Sequence, residues 1–387
     1  MSDRSKKTAG RAADDGTDGT GMLLGRPECP GELGESRDIY AGKTILITGA
    51  GGSIGAELSR QILLCAPERL ILFELNEFVL FTLDRKLRAT LGVNGPIVTP
   101  ILGNVTDAHH VRRVLQKWRP DIVLHAAAYK HVAMVEVNPA IGLRNNVLGT
   151  HVLAKAAQAE GVGRFILISS DKAVRPEGVM GASKRLAEIV VQDLASRSGG
   201  TIFAAVRFGN VLGSSGSVLP LFHEQMARGG PLEVTHPDAT RYFMTVAEAV
   251  SLVLRAGAVA QGGDILSLDM GTPIRILDLA DQMLKQMGYT LTCDSPSAPN
   301  QIGVVFTGLR PGEKLHEESP SFGGARTAAH PMLFICKEAA PSQMEVAAAL
   351  SALTRAIFDS DDQAARQVAM NWAERDAGTD PRAELAV

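Results

Sequence analysis

The side chains best suited to acid–base chemistry lie in a short loop near the middle of the chain. This loop follows an apolar strand predicted at Arg164–Ile168, and it has Asp171 next to Lys172. A helix is predicted to follow, and its residues Met180 and Lys184 share one face because they are four positions apart. A methionine side chain cannot accept a proton, whereas a carboxylate and an amine can exchange one. We therefore assign proton transfer in this region to Asp171 and Lys172.

A glycine-rich loop near the start of the chain has the spacing of a dinucleotide-binding turn. A strand at 43–47 precedes it and a helical run at 56–64 follows it. Gly49, Gly52 and Gly55 permit a tight turn and let the backbone approach a pyrophosphate at the helix N-terminus. A glycine motif alone is weak evidence, but here a strand and a helix flank it. The residues that we assign to this part of a cofactor site are Gly49, Gly51, Gly52, Ser53, Ile54 and Gly55.

An acidic residue at the end of the next predicted strand indicates which dinucleotide is bound. The strand at 70–73 ends at Glu74, 19 residues after Gly55. A carboxylate there accepts hydrogen bonds from the ribose hydroxyls of NAD and would repel the additional phosphate of NADP, so we favour NAD. Small residues after the strand at 121–125 would let a cofactor lie close to the backbone. The other residues assigned to NAD are Asn104, Val105, Ala126, Ala127, Ala128 and Lys184.

The composition excludes several classes of protein. The chain has 387 residues, of which 45% are hydrophobic and 21% charged, enough for a buried core and more than one lobe. The net charge of -3 gives no electrostatic case for binding nucleic acid or an anionic membrane surface. No stretch approaches about eighteen apolar residues, so we expect no membrane span. Without a disulfide framework or metal-ligand spacing, we expect a cytoplasmic protein and no metal; its cysteines are Cys29, Cys65, Cys293 and Cys336.

Strands and helical segments alternate from residue 43 to about residue 207. This alternation predicts an α/β fold with a Rossmann-type doubly wound parallel sheet, and a smaller C-terminal substrate-binding lobe after it. A helix is predicted at 342–358 and a polar tail beyond it. The predicted organisation is a disordered segment at 1–38, an NAD-binding Rossmann domain at 39–207, a substrate lobe at 208–325 partly interleaved with it, and a helical C-terminal extension and tail at 326–387.

Loops in the second half of the chain carry groups that bind anions. Residues 208–218 are rich in glycine and serine, and such a loop offers backbone N–H groups and hydroxyls to an anion. Arg241 and Arg310 lie in later loops, and arginine pairs with phosphate in a bidentate way. Each arginine alone is explained by a surface position, but two of them beyond a dinucleotide fold suggest a second phosphorylated ligand. Lys130 and His131, after the fourth strand, either reach that ligand or belong to a solvated loop.

Six ordered motifs together resemble one enzyme family. They are TGAGGSIG at 48–55, FELNEF at 73–78, HAAAYKHV at 125–132, SSDKAVRPEGVMGASK at 169–184, RFGNVLGSSGSVLPLF at 207–222 and GLRPGEKLHEE at 308–318. Over residues 40–322 the chain is similar to the nucleotide-sugar 4,6-dehydratases of bacterial polysaccharide biosynthesis, in the extended short-chain dehydrogenase superfamily. Many members have tyrosine at the position of Met180. Members with methionine there resemble the UDP-N-acetylglucosamine 4,6-dehydratases that retain configuration at C5.

This resemblance implies a redox-neutral dehydration of a UDP-N-acetylhexosamine, with UDP-N-acetylglucosamine as the expected substrate. Hydride passes from sugar C4 to NAD, water is eliminated across C5 and C6, and hydride returns to C6. Asp171 is the expected acid for the C6 hydroxyl and Lys172 the expected base at C5. Lys184 would bind the nicotinamide ribose, Ser170 would hydrogen-bond the C4 hydroxyl, and Met180 would leave room for water. The proton of the C4 hydroxyl goes either to Asp171 through a water or to Lys184.

The resemblance also implies contacts to UDP and a homo-oligomer. The substrate-binding residues that we assign are Lys130 and His131 from their position and, from the resemblance, Asn210, Ser217, Arg241, Arg310 and Glu313. Two other functions stay open, a UDP-sugar epimerase on the same scaffold and a non-catalytic NAD-binding regulator that has lost the tyrosine. Met180 argues against a C4 epimerase, which would be expected to keep the tyrosine. The retained Asp171, Lys172 and Lys184 argue against the regulator.

Overall fold

A computed structural model describes most of the chain. The described residues are 23–24, 26, 33–91, 95–293, 298–319, 321, 324–327, 330–338 and 340–377, with side chains described up to residue 373. Most of the segment predicted to be disordered, 1–38, lies outside these residues. The described part of that segment is structured, because a 3-10 helix covers Gly34–Ile39 and both Leu23 and Leu24 are buried.

One large sheet runs through the molecule. Among the described residues it has nine strands in the order β15-β16-β11-β6-β5-β4-β1-β2-β3; β1 to β6 and β11 are parallel, and β16 pairs antiparallel with both of its neighbours, β11 and β15. The strands are β1 (Thr44–Thr48), β2 (Arg69–Glu74), β3 (Ile97–Leu102), β4 (Ile122–His125), β5 (Arg164–Ile168), β6 (Ile202–Arg207), β7 (Asn210–Val211), β8 (Leu232–Val234), β9 (Thr240–Arg241), β10 (Phe243–Met244), β11 (Ile265–Leu268), β12 (Ile274–Arg275), β13 (Thr290–Thr292), β14 (Gln301–Phe306), β15 (Gly324–Arg326) and β16 (Leu333–Cys336).

Helices cover both faces of this sheet. They are α1 (Ser53–Leu64), α2 (Glu77–Thr90), α3 (Ala108–Trp118), α4 (Val132–Glu136), α5 (Pro139–Leu143), α6 (Gly149–Ala159), α7 (Val179–Ser196), α8 (Val218–Ala227), α9 (Val246–Val259), α10 (Ile276–Gln286), α11 (Gln343–Phe358) and α12 (Asp362–Ala377). The central strand β1 is buried at every residue, as expected of a parallel strand covered on both sides. The predicted α/β class with a Rossmann-type parallel sheet is confirmed.

The strand order fixes where a ligand can bind. The sheet grows outward from β1 through β2 and β3 on one side and through β4, β5 and β6 on the other. In such sheets a ligand binds in a crevice outside the carboxyl ends of the strands, at the point where the strand order reverses, which is at β1 here. The register places the last residue of β1, Thr48, beside Phe73 and His125. The loops after β1, β2 and β4 therefore meet at one edge.

The C-terminal part of the chain differs from its prediction in one element. The helix predicted at 342–358 is α11, but the residues after it form a second helix, α12, rather than a polar tail. Its buried side chains are Ala365, Ala369, Trp372 and Ala373, which pack in one hydrophobic cluster with α7 and α11. The sequence conceals this helix because its buried face is built mainly from small alanines between charged residues.

Candidate active site

The glycine-rich loop joins β1 to α1 at the edge where the parallel strands end. Gly49 has a φ of +62°, and a Cβ built there would lie 2.7 Å from the Cα of Ala127. A Cβ at Gly55 would lie 2.1 Å from the carbonyl oxygen of Gly49. Side chains are therefore excluded at both positions. The first amides of α1, at Ser53 and Ile54, belong to a helix N-terminus, which attracts an anion.

Glu74 ends β2 beside this loop. Its Oε2 accepts a hydrogen bond of 3.0 Å from the amide of Gly51. Its Oε1 accepts hydrogen bonds of 2.9 and 3.0 Å from the amides of Leu75 and Asn76. These three bonds hold the carboxylate next to the glycine-rich loop, with remaining lone pairs that suit ribose hydroxyls.

The other residues predicted to bind the cofactor follow β3 and β4. The turn after β3 begins with Gly103, whose amide donates to the carbonyl of Glu74 at 2.8 Å, and it continues with Asn104 and Val105. The amide of Ala126, after β4, donates to the carbonyl of the last residue of β1 at 3.1 Å. The structure therefore brings both turns to the edge that carries the glycine-rich loop.

The loop between β5 and α7 holds the predicted acid and base in one hydrogen-bonded group. Lys172 Nζ donates to Asp171 Oδ1 and to Asn210 Oδ1, each at 3.0 Å. Ser170 Oγ donates to Asp171 Oδ1 at 2.8 Å. Asp171 is fully buried, and among the described residues its Oδ2 has no hydrogen-bond partner. The carboxyl group therefore contacts the serine and the lysine of this loop through one oxygen, Oδ1.

A second carboxylate, which the sequence analysis did not assign, also faces Lys172. Glu317 Oε1 lies 3.4 Å from Lys172 Nζ and 3.7 Å from Arg241 Nε. Burial alone would lower the pKa of Lys172, but the carboxylates of Asp171 and Glu317 outweigh burial and raise it. Lys172 is therefore an ammonium at neutral pH. Glu317 belongs to the GLRPGEKLHEE motif, but only the fold reveals which of its glutamates faces the lysine.

Helix α7 carries the two other residues predicted to take part in the chemistry. Met180 is 2% exposed and packs in the hydrophobic cluster between the sheet and the C-terminal helices. Lys184 Nζ donates a hydrogen bond of 2.8 Å to the carbonyl of Ile168, the last residue of β5. Burial lowers the pKa of Lys184 to about 8, although the carboxylate of Glu188 opposes this shift. Lys184 therefore faces the strand end from which the acid–base loop begins.

A buried ion pair ties α7 to the ends of two strands. Ser169 Oγ donates to Glu188 Oε1 at 2.6 Å, and Arg207 donates to the two oxygens of Glu188 at 2.7 and 2.6 Å. Glu188 and Arg207 are both fully buried, which makes their mutual pairing necessary. Ser169, which directly precedes Ser170, is thereby held in place relative to β6 and α7.

Asn146 is a second residue that the sequence analysis did not assign. It lies in a π-helical turn, Arg144–Leu148, and such turns often mark functional sites. Its Oδ1 accepts from the amide of Tyr129 at 2.8 Å, and its Nδ2 donates to the carbonyl of Tyr129 and to Ser183 Oγ, both at 2.9 Å. Asn146 thus joins the loop after β4 to α7. The only sequence signal for it is a pair of asparagines within a helical run.

The glycine- and serine-rich loop after β7 closes against the nucleotide-binding half. Lys130 Nζ donates to Ser214 Oγ at 3.3 Å, and a Cβ at Gly216 would lie 2.6 Å from the ring of His131. The amide of Ser215 donates to the hydroxyl of the first residue of α1 at 3.0 Å. Burial, then the ammonium of Lys172, lowers the pKa of Lys130. The loop after β4, this loop and the glycine-rich loop therefore meet.

The remaining residues predicted to bind the substrate are less closely grouped. Ser217 is the N-cap of α8, and within the described part of the chain its buried hydroxyl has no hydrogen-bond partner. The guanidinium of Arg241 donates to three backbone carbonyls, which leaves it few donors for a phosphate. Arg310 is exposed, and its amide donates to Glu313 Oε2 at 3.3 Å. Among the described residues, no hydrogen bond or ion pair joins Arg310 or Glu313 to Lys172.

Three further observations concern the described residues as a group. They contain no cluster of three or more His, Cys, Asp or Glu side chains that could hold a metal ion. No helix among them has the length and apolar character needed to cross a membrane. The described cysteines, Cys65, Cys293 and Cys336, form no disulfide among the described residues, and Cys29 lies outside them.

Known proteins share much of this sequence. The model of the family described as "Polysaccharide biosynthesis protein" matches residues 45–337. The capsular polysaccharide biosynthesis protein CapD of Staphylococcus aureus is 46% identical over 296 residues, which are 76% of this chain and 48% of CapD. The chain thus spans about half the length of that relative. A UDP-glucose 4-epimerase of Rickettsia rickettsii is 33% identical over 284 residues, which are 72% of this chain and 78% of the epimerase.

Solved structures share the fold. Pen from Bacillus thuringiensis has a TM-score of 0.68 and 30% identity, over 79% of this chain and 91% of Pen. The dTDP-glucose 4,6-dehydratase DesIV from Streptomyces venezuelae, solved with NAD and TYD bound, has a TM-score of 0.58 and 22% identity. That match covers 71% of this chain and 88% of DesIV, and at this identity it shows the fold alone.

Proposed function

This chain belongs to the polysaccharide biosynthesis protein family, and from that membership we propose that it is an NAD-dependent nucleotide-sugar 4,6-dehydratase. The proposed substrate is a UDP-N-acetylhexosamine, with UDP-N-acetylglucosamine as the first candidate. The proposed product is the UDP-4-keto-6-deoxy sugar, formed with net loss of one water. The observation that carries this proposal is the contact of an acid and a base, Asp171 and Lys172, at 3.0 Å beside a helix with Met180 in place of tyrosine.

The residues at the sheet edge fit NAD. A Cβ at Gly49 or Gly55 would collide with neighbouring backbone, so only glycine keeps that approach open. Glu74 is held beside this loop by backbone amides and would accept hydrogen bonds from a ribose. When bound, the cofactor would supply a hydride acceptor for sugar C4 and a hydride donor for C6. Lys184, at the end of β5, would hold the nicotinamide ribose.

We propose that Lys184 also takes the proton of the C4 hydroxyl. Its pKa, lowered to about 8 by burial, leaves a useful fraction of neutral amine near neutral pH. Ser170 lies in the same loop as Asp171 and would hydrogen-bond the C4 oxygen. Oxidation at C4 produces a ketone, and the ketone acidifies the proton on C5.

Elimination then uses the Asp171–Lys172 pair. The amine of Lys172 takes the C5 proton, while the carboxyl group of Asp171 gives its proton to the C6 hydroxyl, which leaves as water. The pair ends this step as ammonium and carboxylate. After hydride has reached C6, the ammonium of Lys172 returns a proton to C5, and the proton held by Lys184 returns to Asp171 by way of solvent. The water lost thus consists of the C6 hydroxyl group and a proton from Asp171, and the proton of the C4 hydroxyl replaces the one that Asp171 gave.

The resting ion pair can supply the reactive pair without exchanging a proton with solvent. An ammonium beside a carboxylate and an amine beside a protonated carboxyl group hold the same number of protons. Each holds one proton more than an amine beside a carboxylate. Transfer across the 3.0 Å hydrogen bond from Lys172 Nζ to Asp171 Oδ1 interconverts the two forms. General acid and base catalysis of this kind contributes roughly 10²–10⁴-fold for each group.

A UDP-sugar epimerase is the second candidate, because a UDP-glucose 4-epimerase is 33% identical to this chain. An epimerase also oxidises its sugar, but it returns hydride to the same carbon and loses no water. Met180 disfavours that reaction at C4, since a tyrosine there normally exchanges the proton of the C4 hydroxyl. The adjacent acid and base at Asp171 and Lys172 favour elimination.

One experiment separates these functions. The purified protein is incubated with UDP-N-acetylglucosamine in deuterated water, without added NAD, and followed by NMR. The dehydratase predicts loss of one water, a new C6 methyl signal and deuterium at C5, and the coupling constants then report the configuration at C5. An isomer formed without loss of water would replace the proposal with an epimerase. A spectrum unchanged even after NAD is added, from a protein that binds NAD, would contradict the proposal for this substrate and favour the regulator.

A further inference from the structure

Glu317 lies between Lys172 and Arg241, which belongs to the second lobe, the predicted substrate lobe at 208–325. Its Oε1 lies 3.4 Å from Lys172 Nζ and 3.7 Å from Arg241 Nε. Its side chain is only 3% exposed, so water screens these charges poorly. Arg241 is itself anchored to the backbone of the Glu317 segment, through the carbonyls of Lys314 and Leu315. Glu317 is therefore a fixed charge, held in the site by its own loop.

The ammonium of Lys172 is surrounded by oxygen atoms on three sides. It donates hydrogen bonds to Asp171 Oδ1 and Asn210 Oδ1, and it forms its third contact, an ion pair, with Glu317. An ammonium has three N–H donors, so these three contacts fix both its position and its orientation. Loss of the Glu317 contact would allow Lys172 Nζ to move away from Asp171.

The carboxylate of Glu317 contacts charged side chains of the protein, Lys172 and Arg241. Its second oxygen, Oε2, is buried, and among the described residues it makes no hydrogen bond. Its first oxygen faces Lys172 and Arg241, so the influence of Glu317 on the reaction passes through these two cations.

We propose that Glu317 is a positioning residue for the elimination, which holds Lys172 Nζ against Asp171 and sets the pH above which that pair loses its shared proton. This inference rests on the proposed function for its catalytic meaning, because the elimination needs one proton on the pair. If the pair loses that proton, Asp171 has none to give to the departing C6 hydroxyl. The rate then falls on the alkaline side.

The charges around Lys172 support this role. Asp171 and Glu317 face it with negative charge, and Arg241 and Lys130 face it with positive charge from β9 and from the loop after β4. The two carboxylates dominate, so the pKa of Lys172 is raised although burial alone would lower it. Removal of one carboxylate at this distance lowers the pKa of a lysine by about one unit or more.

The test compares Glu317→Gln with Glu318→Gln. Glu318 is the next residue, but its nearest cations are Lys314 and Arg175, at 3.8 and 3.9 Å, and not Lys172. For Glu317→Gln the alkaline limb of kcat/KM is expected to move to lower pH by about one unit. For Glu318→Gln the limb is expected to stay where it is in the unmodified protein. Glu317→Asp keeps the negative charge, so its alkaline limb is expected to lie close to that of the unmodified protein.

A second readout does not need turnover. Lysine labelled with ¹³C at Cε reports its own protonation by NMR, and the Lys172 signal is assigned by its absence in Lys172→Arg. In Glu317→Gln this signal is expected to titrate about one pH unit lower, whether or not UDP-N-acetylglucosamine is a substrate. An unmoved Lys172 titration in folded Glu317→Gln would overturn the inference. A rate lowered equally at every pH, with an unmoved limb, would also overturn it, because that is the signature of a merely structural residue.

Discussion

At the scale of single residues, the proposed chemistry depends on the carboxyl group of Asp171. Its Oδ1 accepts from Ser170 and Lys172, and in the proposed elimination it is the oxygen that receives the proton of Lys172. An amide at this position keeps the shape of the side chain but has no proton of suitable acidity for the C6 hydroxyl. We expect Asp171→Asn to lower kcat by at least about 10²-fold while NAD stays bound.

Turnover of UDP-N-acetylglucosamine and the absorbance of copurified cofactor would be measured side by side for this variant. Asp84→Asn, on the surface of α2 and paired with Arg88, is the matched control and should keep full activity. A rate close to that of the unmodified protein in folded Asp171→Asn would remove Asp171 from its role as the acid.

The role proposed for Lys184 predicts an acidic limb in the pH profile of kcat/KM. Burial lowers its pKa to about 8 from an ordinary value of 10.5, so its amine becomes a base as pH rises towards 8. If Lys184 takes the proton of the C4 hydroxyl, kcat/KM should rise with pH, reach half of its limiting value near pH 8 and level off about one unit higher. In Lys184→Arg, whose guanidinium stays protonated, this limb should disappear together with most of the activity. A limb that persists in Lys184→Arg would assign that proton to another group.

The residues predicted to form the site and those that only the structure places beside them differ in how far apart they lie in the chain. Asp171, Lys172 and Lys184 follow one strand within a short stretch, so local spacing alone brings them together. Glu317 and Asn146 contact Lys172 and Ser183 across the fold, and no local pattern distinguishes Glu317 from the glutamate beside it. Long-range contacts of this kind require the three-dimensional structure.

At the scale of secondary-structure elements, the C-terminal helix α12 supports the start of helix α7, which carries Met180 and Lys184. Glu136, at the end of α4, accepts a hydrogen bond of 2.5 Å from the amide of Val179, the first residue of α7. Arg366 of α12 pairs with the other oxygen of Glu136. Asp362, also of α12, accepts from the amide of Ala140 at 2.9 Å. The extension therefore connects to the helix that carries Met180 and Lys184.

A double-mutant cycle of Arg366→Ala and Glu136→Gln tests this connection. The Glu136 side chain is 4% exposed, so its carboxylate depends on its partners, and charged hydrogen bonds of this kind stabilise by roughly 1.5–3 kcal/mol. We expect a coupling free energy of about 1–3 kcal/mol from urea unfolding, and a lower kcat in both single variants. Arg355→Ala, at an exposed position of α11, should change neither. Additive effects of the two substitutions would contradict the connection.

The elements themselves were predicted unevenly, for a reason that lies in their burial. Strands β1, β2, β4, β5 and β6 contain continuous apolar runs because this part of the sheet is covered on both faces, and such runs are visible in the sequence. Strands β11, β15 and β16 extend the same sheet from distant parts of the chain, and β16 is only half buried. Their pairing is decided by tertiary contacts, so the sequence did not indicate it.

At the scale of the whole molecule, residues near the N-terminus connect the second lobe to the nucleotide-binding half. Leu23 and Leu24 are 4% and 7% exposed and lie in the hydrophobic cluster that also contains Phe222 of α8. Arg26 donates to both oxygens of Glu248 in α9, at 2.8 and 3.3 Å. Helix α9 packs in a different cluster, against β1 and β6. These described residues therefore join a segment predicted to be disordered to two separate parts of the core.

This connection predicts that Leu23→Ala destabilises the folded protein. Truncation of a buried leucine leaves a cavity and costs about 2–5 kcal/mol, which urea unfolding would measure. Leu221→Ala, in the same lobe but 40% exposed, is the control and should cost no more than about 0.5 kcal/mol. Because the affected cluster supports the lobe that carries Ser217 and Arg241, we also expect KM for the UDP-sugar to rise more than kcat falls. Equal and small losses of stability in the two variants would mean that Leu23 does not belong to the core, and the second lobe would then be held by its own strands and helices alone.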